Sequence, residues 1–193
     1  MSLFNPQTSK TAIADAQSEM RFAYYGGALG IYASATAWFV AAFVAIKYST
    51  SSAVWTLFIG GMLIHPVSVL LNKIMGRPAK HSPGNALGAL AMESTVWLIA
   101  SLPLVYVVSL YRIEWFFPAM LLVIGGRYFT FATLFGTRTY WLCGGALIAA
   151  GYVLVNFNAS PVIGAITGAL RETVFATIIF LMAKTEHASS AKK

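Results

Sequence analysis

The chain has 193 residues, of which 58% are hydrophobic and only 10% charged, and its mean hydropathy is +0.71. A water-soluble domain carries about 25% charged residues to cover its surface, so a soluble globule is excluded. The net charge of +7 then fits basic loops gathered on one side of a membrane, and no nucleic acid is expected as a partner.

Residues 1–22 form a polar N-terminal segment without the basic-then-apolar layout of a cleaved signal, so the first span is expected to serve as an uncleaved insertion signal. Within this segment, Ser9 to Met20 has helical composition and is placed on the membrane surface. Residues 23–184 hold the apolar runs, and 185–193 form a basic C-terminal tail. Whole stretches carry no formal charge, among them Phe22 to Ile46, Tyr48 to Asn72 and Thr139 to Leu170. About 20 apolar residues at 1.5 Å each cross the roughly 30 Å hydrocarbon layer, whereas barrel strands would show short alternating segments.

Six spans follow in order: Tyr24 to Ile46, Ala53 to Met75, Ala86 to Leu110, Phe116 to Phe135, Tyr140 to Phe157, and Val162 to Ala183. The first, second and fifth are plain on hydropathy. The third carries Glu93, the fourth Arg127, and the sixth Arg171 with Glu172. A four- or five-span arrangement with one of these segments re-entrant is the alternative. The substantial internal loop is Gly76 to Asn85, rich in Pro, Gly and charge. The other connections are tight: Lys47 to Ser52, Tyr111 to Trp115, Gly136 to Thr139, and Asn158 to Pro161. Pro66, Pro103 and Pro118 are expected to bend the spans that hold them, because proline removes a backbone donor.

With the N-terminus inside, Lys10, Arg21, Lys73, Arg77, Lys80, Arg138, Lys184, Lys192 and Lys193 fall on the cytoplasmic side. Only Lys47 and Arg112 fall on the other. The fold class is therefore all-α: a polytopic transmembrane helical bundle of six spans with both termini cytoplasmic. Trp55, Trp115 and Trp141 stand near span ends and Trp38 and Trp97 do not, a partial aromatic belt. Gly26/Gly30, Gly84/Gly88 and Gly164/Gly168 have the small-xxx-small spacing of close helix contacts, within the bundle or between copies in a homo-oligomer. A weak two-helix repeat is also legible. Ala35-Thr36-Ala37-Trp38 is echoed by Ser94-Thr95-Val96-Trp97, Ile59-Gly60-Gly61 by Ile124-Gly125-Gly126, and Gly26-Gly27-Ala28-Leu29 by Gly144-Gly145-Ala146-Leu147.

Ionisable groups at membrane depth each cost a few kcal/mol, about 3 on the gentlest scale, unless they meet a partner or water. Counting residues from the cytoplasmic span ends puts His65, Glu93, Arg127, Arg171 and Glu172 roughly 10 to 18 Å deep, in one inner-half layer. These five are the candidate binding cluster. They form either a polar cavity for a small polar or anionic solute or a sealed, self-neutralising network that fixes helix register. Arg127 is suited to grip Glu93 or Glu172 in bidentate fashion. Arg171 and Glu172, about 100° apart on one helix, must serve different neighbours. His65 beside Pro66 reads as a hinge or as a static kink.

No catalytic residue is legible. His65, His81 and His187 are scattered, the single Cys143 cannot form an intrachain disulfide, and nucleophile elbows, Walker loops and metal spacings are missing. No metal or cofactor is expected, and an enzyme is the less expected class. The bilayer itself is the expected partner.

Three stretches carry a resemblance: Phe58 to Pro66 (FIGGMLIHP), Asn85-Ala86-Leu87-Gly88, and Phe116-Phe117-Pro118-Ala119-Met120 through Gly125-Gly126-Arg127-Tyr128. Together they resemble a family of small bacterial membrane proteins of unknown function, across roughly the middle half of the chain. That family's pattern has a Gly/Pro-bearing span, a basic loop and an Asn-Pro-Leu-Gly stretch, where this chain has Ala86 for the proline. The resemblance implies a bacterial inner-membrane location and brings no activity or site residues.

Overall fold

A computed structural model describes residues 6–190, with side chains described for residues 12–186. Seven α-helices follow one another: α1 (Pro6–Tyr24), α2 (Ala28–Lys47), α3 (Thr50–Ile74), α4 (Leu87–Tyr111), α5 (Phe116–Phe135), α6 (Thr139–Asn156) and α7 (Pro161–Ser190). No strand occurs among the described residues. Six helical segments are long and apolar enough to cross a membrane, the first joining the end of α1 to α2. The chain is a multi-pass membrane protein. The expected span ends agree with the helices within a few residues, except that α7 continues past Ala183 to Ser190.

The helix ends have local causes. Ser49 caps α3 by accepting the Ser52 amide at 3.1 Å, which satisfies one of the donors a helix start leaves open. Gly136 ends α5 in the left-handed region (φ 64°), and a side chain there would strike Gln17 of α1. Pro66 and Pro103 lie inside helices, whereas Pro118 sits in the first turn of α5. First-turn amides have no partner to lose, so Pro118 does not bend its span as expected.

Helix α1 lies across one end of the bundle. Gln17 donates to the Thr133 carbonyl (2.8 Å) and Arg21 to the Phe135 carbonyl (2.8 Å), both at the end of α5. Arg21 also pairs with Glu186 of α7 at 3.3 Å. Glu19 accepts from the Ser82 amide (2.5 Å) and from Asn85 (2.7 Å). The long loop, the α5–α6 turn and the end of α7 therefore share one face with α1. That face carries Arg21, Lys73, Arg77, Lys80, Arg138 and Lys184. Lys47 and Arg112 lie at the opposite helix ends. The side chains of Lys10, Lys192 and Lys193 lie outside the described residues, as does that of His187.

In the interior, α2 packs between α3 and α7, and α5 between α4 and α6. Close backbone approach explains the α5–α6 pair. A Cβ on Gly125 would stand 2.8 Å from the Gly144 carbonyl oxygen, and one on Gly144 would stand 2.6 Å from that of Gly125. Of the three expected glycine pairs, Gly164/Gly168 makes helix contacts, against Phe117 and Trp38. Gly26 instead lies in the α1–α2 kink (φ 61°) and Gly84 in the long loop, so neither of those pairs forms a continuous helical stripe. The repeat is not matched by equivalent environments. Trp38 is fully buried whereas Trp97 is 65% exposed, and Gly26 precedes its helix while Gly144 lies inside one.

Candidate functional site: a polar cleft between two loosely held helices

The outer helices α3 and α4 are the least enclosed, with 11% and 17% of their spans buried. Away from the α1 face they approach through aromatic rings: Trp55–Tyr106 at 5.6 Å, Phe58–Tyr106 at 6.2 Å, and Phe58–Phe116 of α5 at 5.2 Å. Helical periodicity then dictates what lies beneath this plug. Seven residues are close to two turns, so His65 returns to within about 20° of Phe58. Eleven residues are close to three turns, so Thr95 lies under Tyr106 and Arg127 under Phe116 by the same margin of about 20°. Periodicity thus sets Thr95 and Arg127 on the facing sides of α4 and α5, where they bond, and His65 on the side of α3 that carries Phe58. His65 is exposed there, Arg127 is half-buried, and Gly61 beside His65 has open space around its Cβ position.

Arg127 is held by few partners. Its Nη2 donates to Thr95 Oγ1 at 3.1 Å and its guanidinium lies 5.1 Å from the Phe131 ring centre. Its Nε has no hydrogen-bond partner. The Thr130 hydroxyl lies 2.9 Å from that of Ser94 and donates to the Arg127 carbonyl at 2.7 Å, which ties α4 to α5 at this depth.

Glu172 lies behind the cleft, fully buried among α2, α5 and α7. The Tyr128 hydroxyl donates to its Oε1 at 2.9 Å, Ser34 flanks the carboxyl, and Oε2 lacks a partner of good geometry. Arg127 is near enough to act on Glu172 through its charge without touching it. The bidentate Arg127–carboxylate pair expected from the sequence does not form. Thr95 takes the guanidinium on the cleft side, while Tyr128 turns the carboxyl inward.

Of the five candidate residues, Arg127 and Glu172 come close enough to act on one another, and His65 has no hydrogen bond to either among the described residues. Glu93 and Arg171 do not join that pair. Glu93 aligns with Trp97 and Leu104 on the exposed side of α4. Arg171 aligns with Met182, whose sulfur contacts Thr139 of α6, and it is half-buried at that outer edge. Neither has a hydrogen bond or ion pair among the described residues. Thr95, Tyr128 and Ser34 are not among the candidate residues of the sequence, although hydroxyls near buried charge are a usable signal. Among the described residues no three His, Cys, Asp or Glu side chains converge as metal ligands. Two surface cavities lie elsewhere, one of about 260 Å³ beside Gln17 and Arg138 and one of about 390 Å³ between α4 and α5.

No curated protein and no solved structure matches this chain. A family of unknown function matches it over residues 13–182, from within α1 to the last turns of α7. The chain belongs to that family, DUF7010.

Proposed function

We propose that the cleft between α3 and α4 receives a small anionic solute, with Arg127 as its anchor. One observation carries this reading: a guanidinium at membrane depth with a single hydroxyl partner, a buried Nε that bonds to nothing, and no bridging carboxylate among the described residues. A buried cation left this way is costly, and an anion reaching the cleft would relieve that cost. His65 offers a second donor on the opposite wall. Glu172 and Tyr128 set the rear of the site. The basic bias of the α1 face supports a cytoplasmic placement of that face, with entry from that side. A bacterial inner membrane, as the resemblance implies, belongs to the same proposal.

A second reading has its own support. Glu172 is completely enclosed and bonded to Tyr128, as a register-fixing network would be. The two readings part at Arg127. Protein in lipid nanodiscs is titrated with chloride, acetate and inorganic phosphate while its Tm is followed. Anion binding at Arg127 raises the Tm of the wild type with at least one of these anions and leaves Arg127→Gln unmoved. Equal behaviour of the two proteins, or a variant that fails to accumulate together with an Arg127→Lys protein that shows no anion response, favours the sealed network.

A further inference from the structure

Away from the cleft, the outward surface of α4, α5, α6 and α7 bears an acid at one side and an arginine at the other. Glu93 is exposed on the α4 edge, Arg171 is half-exposed beside α6, and neither is paired among the described residues. Both lie in the layer of Arg127 and Glu172. Ser94, next to Glu93, touches Thr130 of α5, and Arg171 adjoins Glu172. Between them run two half-exposed glycines, Gly126 on α5 and Gly145 on α6, with nothing within 4 Å of either Cβ position. A cavity of about 390 Å³ opens on the α4–α5 part of this surface, beside Trp97, Leu104, Leu122 and Gly126.

Lipid tails cannot satisfy a carboxylate or a guanidinium, and bare glycines let a second helix surface approach closely. We propose that a second copy of this chain covers the surface in a two-fold dimer. Rotation about an axis along the membrane normal, passing between α5 and α6, carries the Glu93 edge of one copy onto the Arg171 edge of the other. The same rotation makes the reciprocal pair, as an isologous interface requires. Charge complementarity selects a second copy over lipid, because each edge supplies what the other lacks at the same depth. The glycines then lie near the axis, where the two copies are closest.

The dimer stands apart from the cleft and is tested without any solute. Subunit number is counted by single-molecule photobleaching of protein diluted in lipid vesicles. The wild type is dimeric; Glu93→Gln and Arg171→Gln each lower the dimer fraction at least tenfold in apparent affinity. The exchanged protein, Glu93→Arg with Arg171→Glu, recovers it. Gly145→Cys in a Cys143→Ala background oxidises to a covalent pair. A monomeric wild type, an exchange that restores nothing, or a Gly145→Cys protein that never cross-links overturns the proposal.

Discussion

Arg127 and Glu172 face each other across α5 and α7 without forming an ion pair. Arg127 Nη2 donates to Thr95 at 3.1 Å, and Glu172 takes the Tyr128 hydroxyl at 2.9 Å. Two opposite charges at one depth are thus held apart by hydroxyl groups, one facing the cleft and one facing the core.

The Tyr128–Glu172 bond is the buried half of that arrangement. Tyr128→Phe leaves the Oε1 of an enclosed carboxyl without its donor, a loss of about 1–3 kcal/mol. Glu172→Gln keeps an acceptor at that place and is expected to cost less. Thermal unfolding in nanodiscs of both variants and of the double variant gives the coupling. Costs that simply add would show that the contact contributes nothing.

The α5–α6 seam depends on absent side chains. Gly125→Leu drives a side chain into the Gly144 carbonyl and Ile148, and is expected to destabilise by about 1–3 kcal/mol or more. Gly126→Leu, one residue on, meets open space and is expected to leave the monomer's stability unchanged. Comparing the two Tm values in monomeric detergent preparations checks this.

The α1 collar makes its own prediction. Glu19 holds the long loop through Ser82 and Asn85, so Glu19→Ala should free that loop. Trypsin cleaves after Lys80, since Arg77 is followed by Pro78. Cleavage there is expected several-fold faster in the variant. In sealed vesicles it is expected only when the cytoplasmic side is outward; cleavage in the opposite vesicles alone would reverse the proposed orientation.

Much of this architecture was legible in the sequence because hydrocarbon thickness fixes helix length. The fourth span, Phe116 to Phe135, coincides with α5, and its neighbours shift by few residues. That Arg127 and Glu172 come to one level was legible for the same reason. The directions of the charges were not. Whether Glu93 points inward depends on which face of α4 meets α5, and that is set by Ser94, Val105 and Ser109, buried on a stripe that leaves Glu93 outside. Likewise the seam at Gly125 and Gly144 was hidden, since the two glycines lie on different helices and form no spaced motif in either. Gly26 and Gly30 had the motif, yet a positive φ at Gly26 broke the helix between them.

Arg127 itself gives a functional prediction. Arg127→Ala is expected to abolish solute binding or passage while the protein still inserts and reaches wild-type levels in the membrane. Quantifying membrane-extracted protein beside anion response separates loss of function from loss of fold.

The central claim, that water and anions reach Arg127 through the α3–α4 gap, is tested most directly at Thr95, its hydroxyl partner. In a Cys143→Ala background, Thr95→Cys is treated with membrane-impermeant charged methanethiosulfonates from the α1 face. The cleft predicts modification, several-fold faster for the anionic reagent than for the cationic one, with that preference lost in Arg127→Gln. Protection from both reagents, with reaction only toward a lipid-soluble maleimide, would contradict it.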